Sequence, residues 1–579
     1  MAISPNDFRP QLLGRVRPPV IFFLLLVIIA SFWAARSSHV SSVTDGRFGL
    51  QGVKAIAASW QGKAVKGMPL LNGAVYDEDV TDPEWHPIKV LHEAALAKYH
   101  EMLNRQSKTL EEAVEEYIRR YRRNPPPGFD EWYEFAKGRN SRIIDDYDLL
   151  NENMAPFWRV KPEVLREAPG KLIGGDWLWR FKIRDGQAFE GEWMGDEIRS
   201  LLAEVLPNIP DLDILMNPLD EPRIVAPKDA EMDSLDDFRW IETSQEPAWD
   251  VISAPCDAAQ ASQPKKDDVN THGLPFILDR TTGMDICLNP ALALQHGFFI
   301  SPTHLITTDS PLPILSPAAP STFGDILVPS FVYWGSDFAY IESFDIPWKE
   351  KATKLYWAGS TTGLYNGPPL NSSSPPTESH RHRLISLTHN LNPHRSYAYL
   401  TRPTRSATWT RYLSSEPMVA LYNTTFTNIV QCEPETCEFM EDYYGLGPHQ
   451  DQHRSLRYKF QMDMDGNGFS GRFYRLLGSR SCPLKMTVFR EWHDDRLVPW
   501  VHYVPISVGM EELPETMRYL GLTEEGERIA HSIAEAGREA FTSTIRREDM
   551  AVYLYRLFLE FARVSSDERE GEVAGRVLY

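Results

Sequence analysis

Residues Tyr458–Pro505 read YKFQMDMDGNGFSGRFYRLLGSRSCPLKMTVFREWHDDRLVPWVHYVP. The stretch opens on an apolar-patterned segment and passes a turn rich in Gly, Asp and Asn. A basic, helix-like segment comes next, then a β-type run and an aromatic segment that ends in proline. A strand, a glycine turn and a helix start build phosphate sites in many folds. Small residues let the backbone approach the anion, and the first N–H groups of the helix point at it. Arg472 and Arg475 add fixed positive charge near that start. The same pattern also fits an ordinary buried βα unit closed by a glycine turn.

The 579-residue chain around this stretch is long enough for two or three domains and a large core. Its formal net charge of −20 argues against a nucleic-acid binder or a general binder of anionic membranes, which need a basic face. A local basic pocket for a small phosphorylated ligand is compatible with that charge. The five cysteines are Cys256, Cys287, Cys432, Cys437 and Cys482. In an oxidising compartment Cys432 and Cys437 can close a small loop, with Cys256–Cys287 as a second candidate pair. No histidine stands beside them at zinc-finger spacing.

Val20–Ala35 (VIFFLLLVIIASFWAA) carries no charge and is preceded by Arg9, Arg15 and Arg17. It is expected to be an uncleaved transmembrane anchor with the N-terminus inside, in contact with the lipid bilayer; a cleaved signal peptide is the alternative. Everything after it is then lumenal, and the sequons at Asn371 and Asn423 agree with that placement. Residues 36–85 read as a stem. Helical patterning begins at His86; Thr109 and Glu112 form a capping-box pair, and NPPPGF stops that helix. The aromatics of FDEWYEFA suit a helix packed in the core. GDWLWRFKI and GQAFEGEW look like short strands, and EIRSLLAEVL like a helix ended by Pro207. Leu212–Met216 is a buried-strand candidate whose end carries Asn217, Asp220, Glu221 and Arg223. In α/β sheets ligands bind just beyond strand carboxyl ends, so a carboxylate there is a candidate general base; a turn shaped by Asp and Pro for backbone reasons is the other reading.

FGDILVPSFVYW starts another strand-rich region, and Tyr356–Gly363 (YWAGSTTG) reads as a strand ending in a small-polar turn. After the loop NGPPLNSSSPPTE, HRHRLISL resumes a helix with Arg381 and Arg383 near its start. Two basic helix starts, here and at Arg472, suit one diphosphate. The C-terminal part is largely helical, and Tyr553, Leu554, Leu557, Phe558 and Phe561 recur at core-facing spacing.

Two motifs suggest metals. Asp463, Asp465, Asn467 and Gly468 fit the first half of an EF-hand loop, but its twelfth position is Tyr474 rather than a bidentate glutamate. Asp463-Met-Asp465 and Asp211-Leu-Asp213 are also D-x-D triplets of the kind that holds a metal-bound nucleotide sugar. The first lies beside arginines able to neutralise phosphate without a metal.

With these residues in view, the chain resembles glycosyltransferase family 90, the capsule-associated glycosyltransferase-like family, in its fungal branch. Its animal relatives are the Rumi-type protein O-glucosyltransferases and O-xylosyltransferases. The likeness runs from HPIKVLHEAALAKYHEML through RRYRRNPPPGFDEWYEFA, DEPR and LYWAGSTTG to the YKF…PWVHYVPI block. It implies an α/β, GT-B-like fold, two Rossmann-like domains facing a cleft. It also implies inverting transfer of xylose or glucose from a UDP-sugar co-substrate, usually with no metal or other cofactor. The expected partners are that UDP-sugar donor and a glycan or glycoprotein acceptor. By the resemblance, Asp220 in LDEPR is the base, Ser360 and Arg383 bind the donor, and Arg472 contacts the UDP phosphates. Ser470, Gly471 and Phe473 line the same turn by adjacency. The animal members carry W-R-G where this chain has Trp357-Ala358-Gly359; Arg381, Arg383 or Lys354 are candidates to replace the missing arginine.

The expected layout is a cytosolic tail (1–18), a transmembrane anchor (19–35), a stem (36–85) and a helical N-terminal region (86–170). Beyond these lie an acceptor-side domain with Asp220 (171–325), a UDP-sugar domain (326–510) and C-terminal helices (511–579). The anchor, and an end in GRVLY rather than a KDEL-like signal, point to a single-pass Golgi membrane protein. A non-catalytic glycan-binding or scaffold protein is the competing reading, favoured by Ala358. A glycoside hydrolase needs two carboxylates flanking the bond, and no convincing pair is present.

Overall fold

The computed structural model describes residues 85–172, 177–225, 229–236, 238–256, 269–368, 378–404, 408–448 and 451–569. They lie in the unit Pro69–Tyr579. The expected tail, anchor and sequon Asn371, and the stem apart from Trp85, fall outside the described residues. Among the described residues no helix is long and apolar enough to cross a membrane.

Two five-stranded sheets organise the molecule. The first contains β1 (Trp179–Arg184), β2 (Gln187–Glu190), β3 (Leu212–Met216), β4 (Ile314–Ser316) and β5 (Ile326–Leu327), in the order β2-β1-β3-β4-β5. β1 runs antiparallel to both neighbours, while β3, β4 and β5 are parallel. The second contains β6 (Ala352–Ser360), β7 (Tyr422–Asn428), β8 (Tyr458–Met464), β9 (Cys482–Met486) and β10 (Val504–Pro505), all parallel, in the order β7-β6-β8-β9-β10. A parallel sheet is covered on both faces, so its inner strands read as continuous apolar runs. β3 and β9 are buried at every position, and β8 at all but its first. Polar residues inside such strands need partners: Asp463 in β8 pairs in register with Lys485 in β9, their charges 3.0 Å apart.

The helices arise from capping and packing. α1 (Pro87–Asn104) is capped by the His86 ring. α2 (Leu110–Tyr121) carries the Thr109–Glu112 capping box. α3 (Phe129–Gly138) buries Phe129, Trp132 and Tyr133, and the Trp132 Nε1–H donates to Val552 O at 2.9 Å. α4 (Glu192–Leu202) flanks the first sheet; it ends before Pro207, which belongs to a short 3-10 turn. α5 (His380–Thr388) and α6 (Phe473–Gly478) come after β6 and β8. The last helices are α7 (Leu513–Leu522), α8 (Glu524–Ser543) and α9 (Arg547–Val564). α8 packs on β9, whereas α9 returns to the first half, where Phe558 stacks on Phe181 at 5.9 Å and the Tyr553 hydroxyl donates to Leu327 O.

The FGDILVPSFVYW region is less strand-rich than its pattern suggests. β5 is two residues long, Pro329 comes soon after it, and Phe331–Trp334 form a 3-10 turn. Cys256–Cys287 and Cys432–Cys437 are both disulfides, and Cys482 is buried and free. Asn423 lies on the edge strand β7, its amide donating to the Tyr458 hydroxyl.

Candidate active site

Two strand ends and one turn build the site. β3 ends at Met216, and the Asn217 side chain then stitches the loop beyond it. Its Nδ2 donates to Glu221 O and Ser316 Oγ, and its Oδ1 accepts from Leu219 N and Arg223 Nε. Asp220, at the tip of that loop, is exposed, and among the described residues no hydrogen bond or ion pair engages its carboxylate. Although its surface is open, the protein packed around it limits its solvation and pushes its pKa above the usual aspartate value. The neighbouring Glu221 is buried, and burial, then the charge of Asp220, raise it to about 7.

The turn after β8 meets that loop. A side-chain carbon on Gly468 would lie 2.4 Å from Asp220 O, so only glycine lets the two backbones approach this closely. The same turn is pinned from behind. Asp465 Oδ2 accepts from Val488 N at 2.8 Å and lies 3.2 Å from His296 Nε2, and the Asp465 carbonyl meets His380 Nε2 at 3.0 Å. His296 and His380 stack at 3.8 Å, both fully buried. Burial holds His380 well below the usual imidazole range.

Positive charge collects at the end of β6. Arg472 Nη1 donates to Ala358 O at 2.8 Å. Arg381 Nε donates to Asp465 O at 2.7 Å, and its Nη1 donates to Ser360 O at 3.0 Å. Arg381 also lies 5.7 Å over the Trp357 ring. Burial, then the charge of Arg472, lower Arg381 to about 9; burial lowers Arg472 too. Among the described residues both guanidinium groups donate to carbonyls and a hydroxyl rather than to a carboxylate, the condition that favours an anionic ligand. Ser360 Oγ donates to Thr362 Oγ1, and Ser470 Oγ accepts from Arg472 N. Gly471 is pressed against Val332 and Phe338; a side-chain carbon there would come 3.1 and 3.2 Å from them. Phe473 is buried beneath the Lys485 ammonium, 3.9 Å from the ring centre.

The structure thus gathers Ser360, Ser470, Gly471, Arg472 and Phe473, and sets Asp220 against the same turn. Arg383 is not gathered with them. Two positions along α5 turn it about 200° from Arg381, toward Glu511, Arg395 and Glu378, and among the described residues its Nε is buried without a partner. Of the candidates to replace the missing arginine, Arg381 is the one at the end of β6, against Ser360 O and the Trp357 ring; the Ala358 carbonyl itself accepts from Arg472. Lys354 lies six residues back along β6, about 20 Å from Ser360 at the usual rise. Arg381, His296, His380 and the close approach of Gly468 are what sequence reading underweighted. The HRHR run offered both arginines but not the face that meets the strand ends.

Each D-x-D carboxylate after β8 is engaged through one oxygen, its Oδ2; among the described residues the Oδ1 atoms of Asp463 and Asp465 are buried without a partner. Asp463 pairs with Lys485, and Asp465 holds Val488 and His296; in the other triplet, Asp213 pairs with Arg180 and Arg184. Among the described residues no three His, Cys, Asp or Glu side chains are grouped to hold a metal.

Comparison with known proteins places the glycosyl transferase family 90 model on residues 301–571. An O-glucosyltransferase rumi homolog from Aedes aegypti is 33% identical over 113 residues, 19% of this chain and 27% of that protein. Protein O-glucosyltransferase 2 from Danio rerio is 27% identical over 126 residues, 21% and 25% of the two chains. Protein O-glucosyltransferase 1 from Homo sapiens is 26% identical over 132 residues, 22% and 32%. The matches span about a quarter to a third of the length of these relatives.

Proposed function

We propose that this chain, whose residues 301–571 match glycosyl transferase family 90, is an inverting glycosyltransferase moving glucose or xylose from a UDP-sugar to a hydroxyl of a glycan or glycoprotein. The two sheets are read as the halves of a GT-B-like cleft. One observation carries the reading: Asp220, whose carboxylate has no partner among the described residues, has its backbone packed on Gly468 in the turn that leads to Arg472.

In this reaction Asp220 takes the proton of the acceptor hydroxyl as its oxygen attacks the anomeric carbon. The bond from that carbon to the diphosphate oxygen breaks, and its electron pair leaves with UDP. Arg472 and Arg381 face the charge that develops on the diphosphate, in a site poor in competing water. Ser360, Ser470 and Gly471 shape the donor turn, and Phe473 anchors it. The reading assigns the phosphate charge to the arginines and uses no metal; Lys485 neutralises Asp463, and Asp465 Oδ2 is taken up by Val488 N and His296. The mature protein is read as Golgi-lumenal and anchored through Val20–Ala35.

The test is a donor screen. Full-length protein in detergent is given UDP-glucose, UDP-xylose and other UDP-sugars with a pooled glycan preparation, and UDP release is measured. Acceptor-dependent release from UDP-glucose or UDP-xylose is expected. No release with any donor, together with no UDP binding by calorimetry, would overturn the reading.

A further inference from the structure

We propose that Trp193, backed by Trp179, is a stacking platform for a sugar ring, so that the acceptor is itself a glycan. The inference rests on Asp220 marking the acceptor half of the site.

Trp179 stands opposite Met216 in the β1–β3 ladder, at the end of β3 from which the chain enters the Asp220 loop. Trp193 meets Trp179 edge-on, with ring centres 6.4 Å apart, and meets Phe331 at 6.5 Å. Phe331 opens the segment whose Val332 and Phe338 press on Gly471, next to Arg472. Trp193 therefore bridges the rim between the Asp220 loop and the donor turn.

Trp193 is open to solvent, while Trp179 behind it is half-buried. Trp193 is 47% exposed and Trp177, two residues before Trp179, is 40% exposed. Single exposed apolar residues are ordinary, but an exposed indole packed edge-on against a second one beside a polar loop is a built feature.

The backbone that carries Trp193 is strained. Glu190, Gly191 and Glu192 have consecutive positive φ angles of 61°, 83° and 47°. Glutamates rarely adopt the left-handed region, and strain of this kind concentrates at functional sites. The turn closes only because residue 195 is glycine; a side-chain carbon there would lie 2.2 Å from Glu190 O. Trp193 comes directly after this turn, at the start of α4, and presents its ring to solvent.

The chemistry selects the ligand. A flat aromatic ring matches the C–H face of a pyranose, and sites of this type add a few polar groups for orientation. The exposed Glu192 beside Trp193 accepts hydrogen bonds from hydroxyls and repels an anionic ligand, which favours a neutral sugar.

The test uses the full-length protein with mannotriose, xylotriose and cellotriose as probes. Saturation-transfer NMR reads binding, UDP release reads the KM of the trisaccharide, and calorimetry reads UDP affinity. At least one trisaccharide is expected to bind. Trp193→Ala should raise its KM or Kd about tenfold with UDP affinity unchanged, and Trp193→Phe should restore most of the loss. Equal affinity in Trp193→Ala, no binding of any trisaccharide, or transfer to a peptide hydroxyl indifferent to Trp193 overturns the platform. Absence of UDP binding in the wild type would instead sink the glycosyltransferase reading, and trisaccharide binding would still decide the platform.

Discussion

Asp220 combines access to solvent with poor solvation, and this pairing suits a general base. A fully hydrated aspartate is too weak a base to accept a sugar hydroxyl proton, and a fully buried one meets no acceptor. Replacing it with asparagine keeps the shape and removes the proton acceptor. Asp220→Asn should lower kcat by about 10²- to 10⁴-fold while UDP affinity by calorimetry stays within about twofold, the spread expected where no contact is lost. Wild-type turnover in that variant would remove Asp220 from the mechanism. Because crowding raises its pKa, the acid limb of kcat/KM should lie above the ordinary aspartate range, with activity rising as pH rises through it. Arg472 is tested on the other half. A charge-assisted contact is worth about 1.5–3 kcal/mol, so Arg472→Ala should weaken UDP binding by roughly 10- to 150-fold.

At the scale of elements, the turn between β8 and α6 sets the distance between Asp220, the proposed base, and the arginines proposed to hold the donor. Gly468→Ala puts a carbon into the Asp220 carbonyl, and the backbones must part by about an ångström to reach ordinary contact. A displacement of that size costs about 10²-fold in rate. The expected result is a large fall in kcat with a smaller change in UDP affinity, because Arg472 is held to Ala358 O on β6 rather than to Gly468; a wild-type kcat would detach the turn from the base. The β8–turn–α6 unit itself was legible, since apolar patterning, glycines and arginines all lie within about twenty residues, a typical span for a strand, a turn and a short helix. Leu212–Met216 was legible for the same reason: apolar or paired positions throughout, bounded by proline and asparagine. The choice between Arg381 and Arg383 was not. Neighbouring helix positions differ by about 100°, and which face meets β6 depends on how α5 lies on the sheet. The Trp179–Trp193 pair was hidden because a strand register and a strained turn, not sequence spacing, bring the rings together. FGDILVPSFVYW misled because β-propensity competes with Pro329 and with a packing role against Gly471.

Across the whole molecule, α9 ties the two halves together and shows how this fold handles buried charge. Arg556 is buried among the rings of Phe129 and Trp132, at 4.4 and 4.6 Å, and donates to the fully buried Glu560. In other buried carboxyls burial outweighs any nearby cation, as at Glu491, where Lys485 lies 3.4 Å away. Glu512 has no exposure and accepts from the backbone N–H and the hydroxyl of Ser507, both at 2.6 Å; burial still raises it to about 7. Burial likewise raises Glu221, Glu491 and Asp495 to about 7. A carboxyl whose folded pKa exceeds its unfolded value binds more protons in the fold, so it stabilises at low pH and loses that contribution as pH rises through about 7. The buried His382 and His502, held near 3, work in the opposite sense, but only below the ordinary imidazole value of about 6.5. Above that value the carboxyls alone set the trend. Between about pH 6.5 and 8 each such group should remove about 1 kcal/mol, or roughly 1 °C of Tm at the entropy expected for a body of this size. The melting temperature should therefore fall by a few degrees over that interval. Glu512→Gln, which cannot ionise, should lessen the fall by roughly 1 °C, measured by calorimetry in matched buffers. A wild-type Tm that is flat or rising across the same interval would mean that these carboxyls are already ionised in the folded protein.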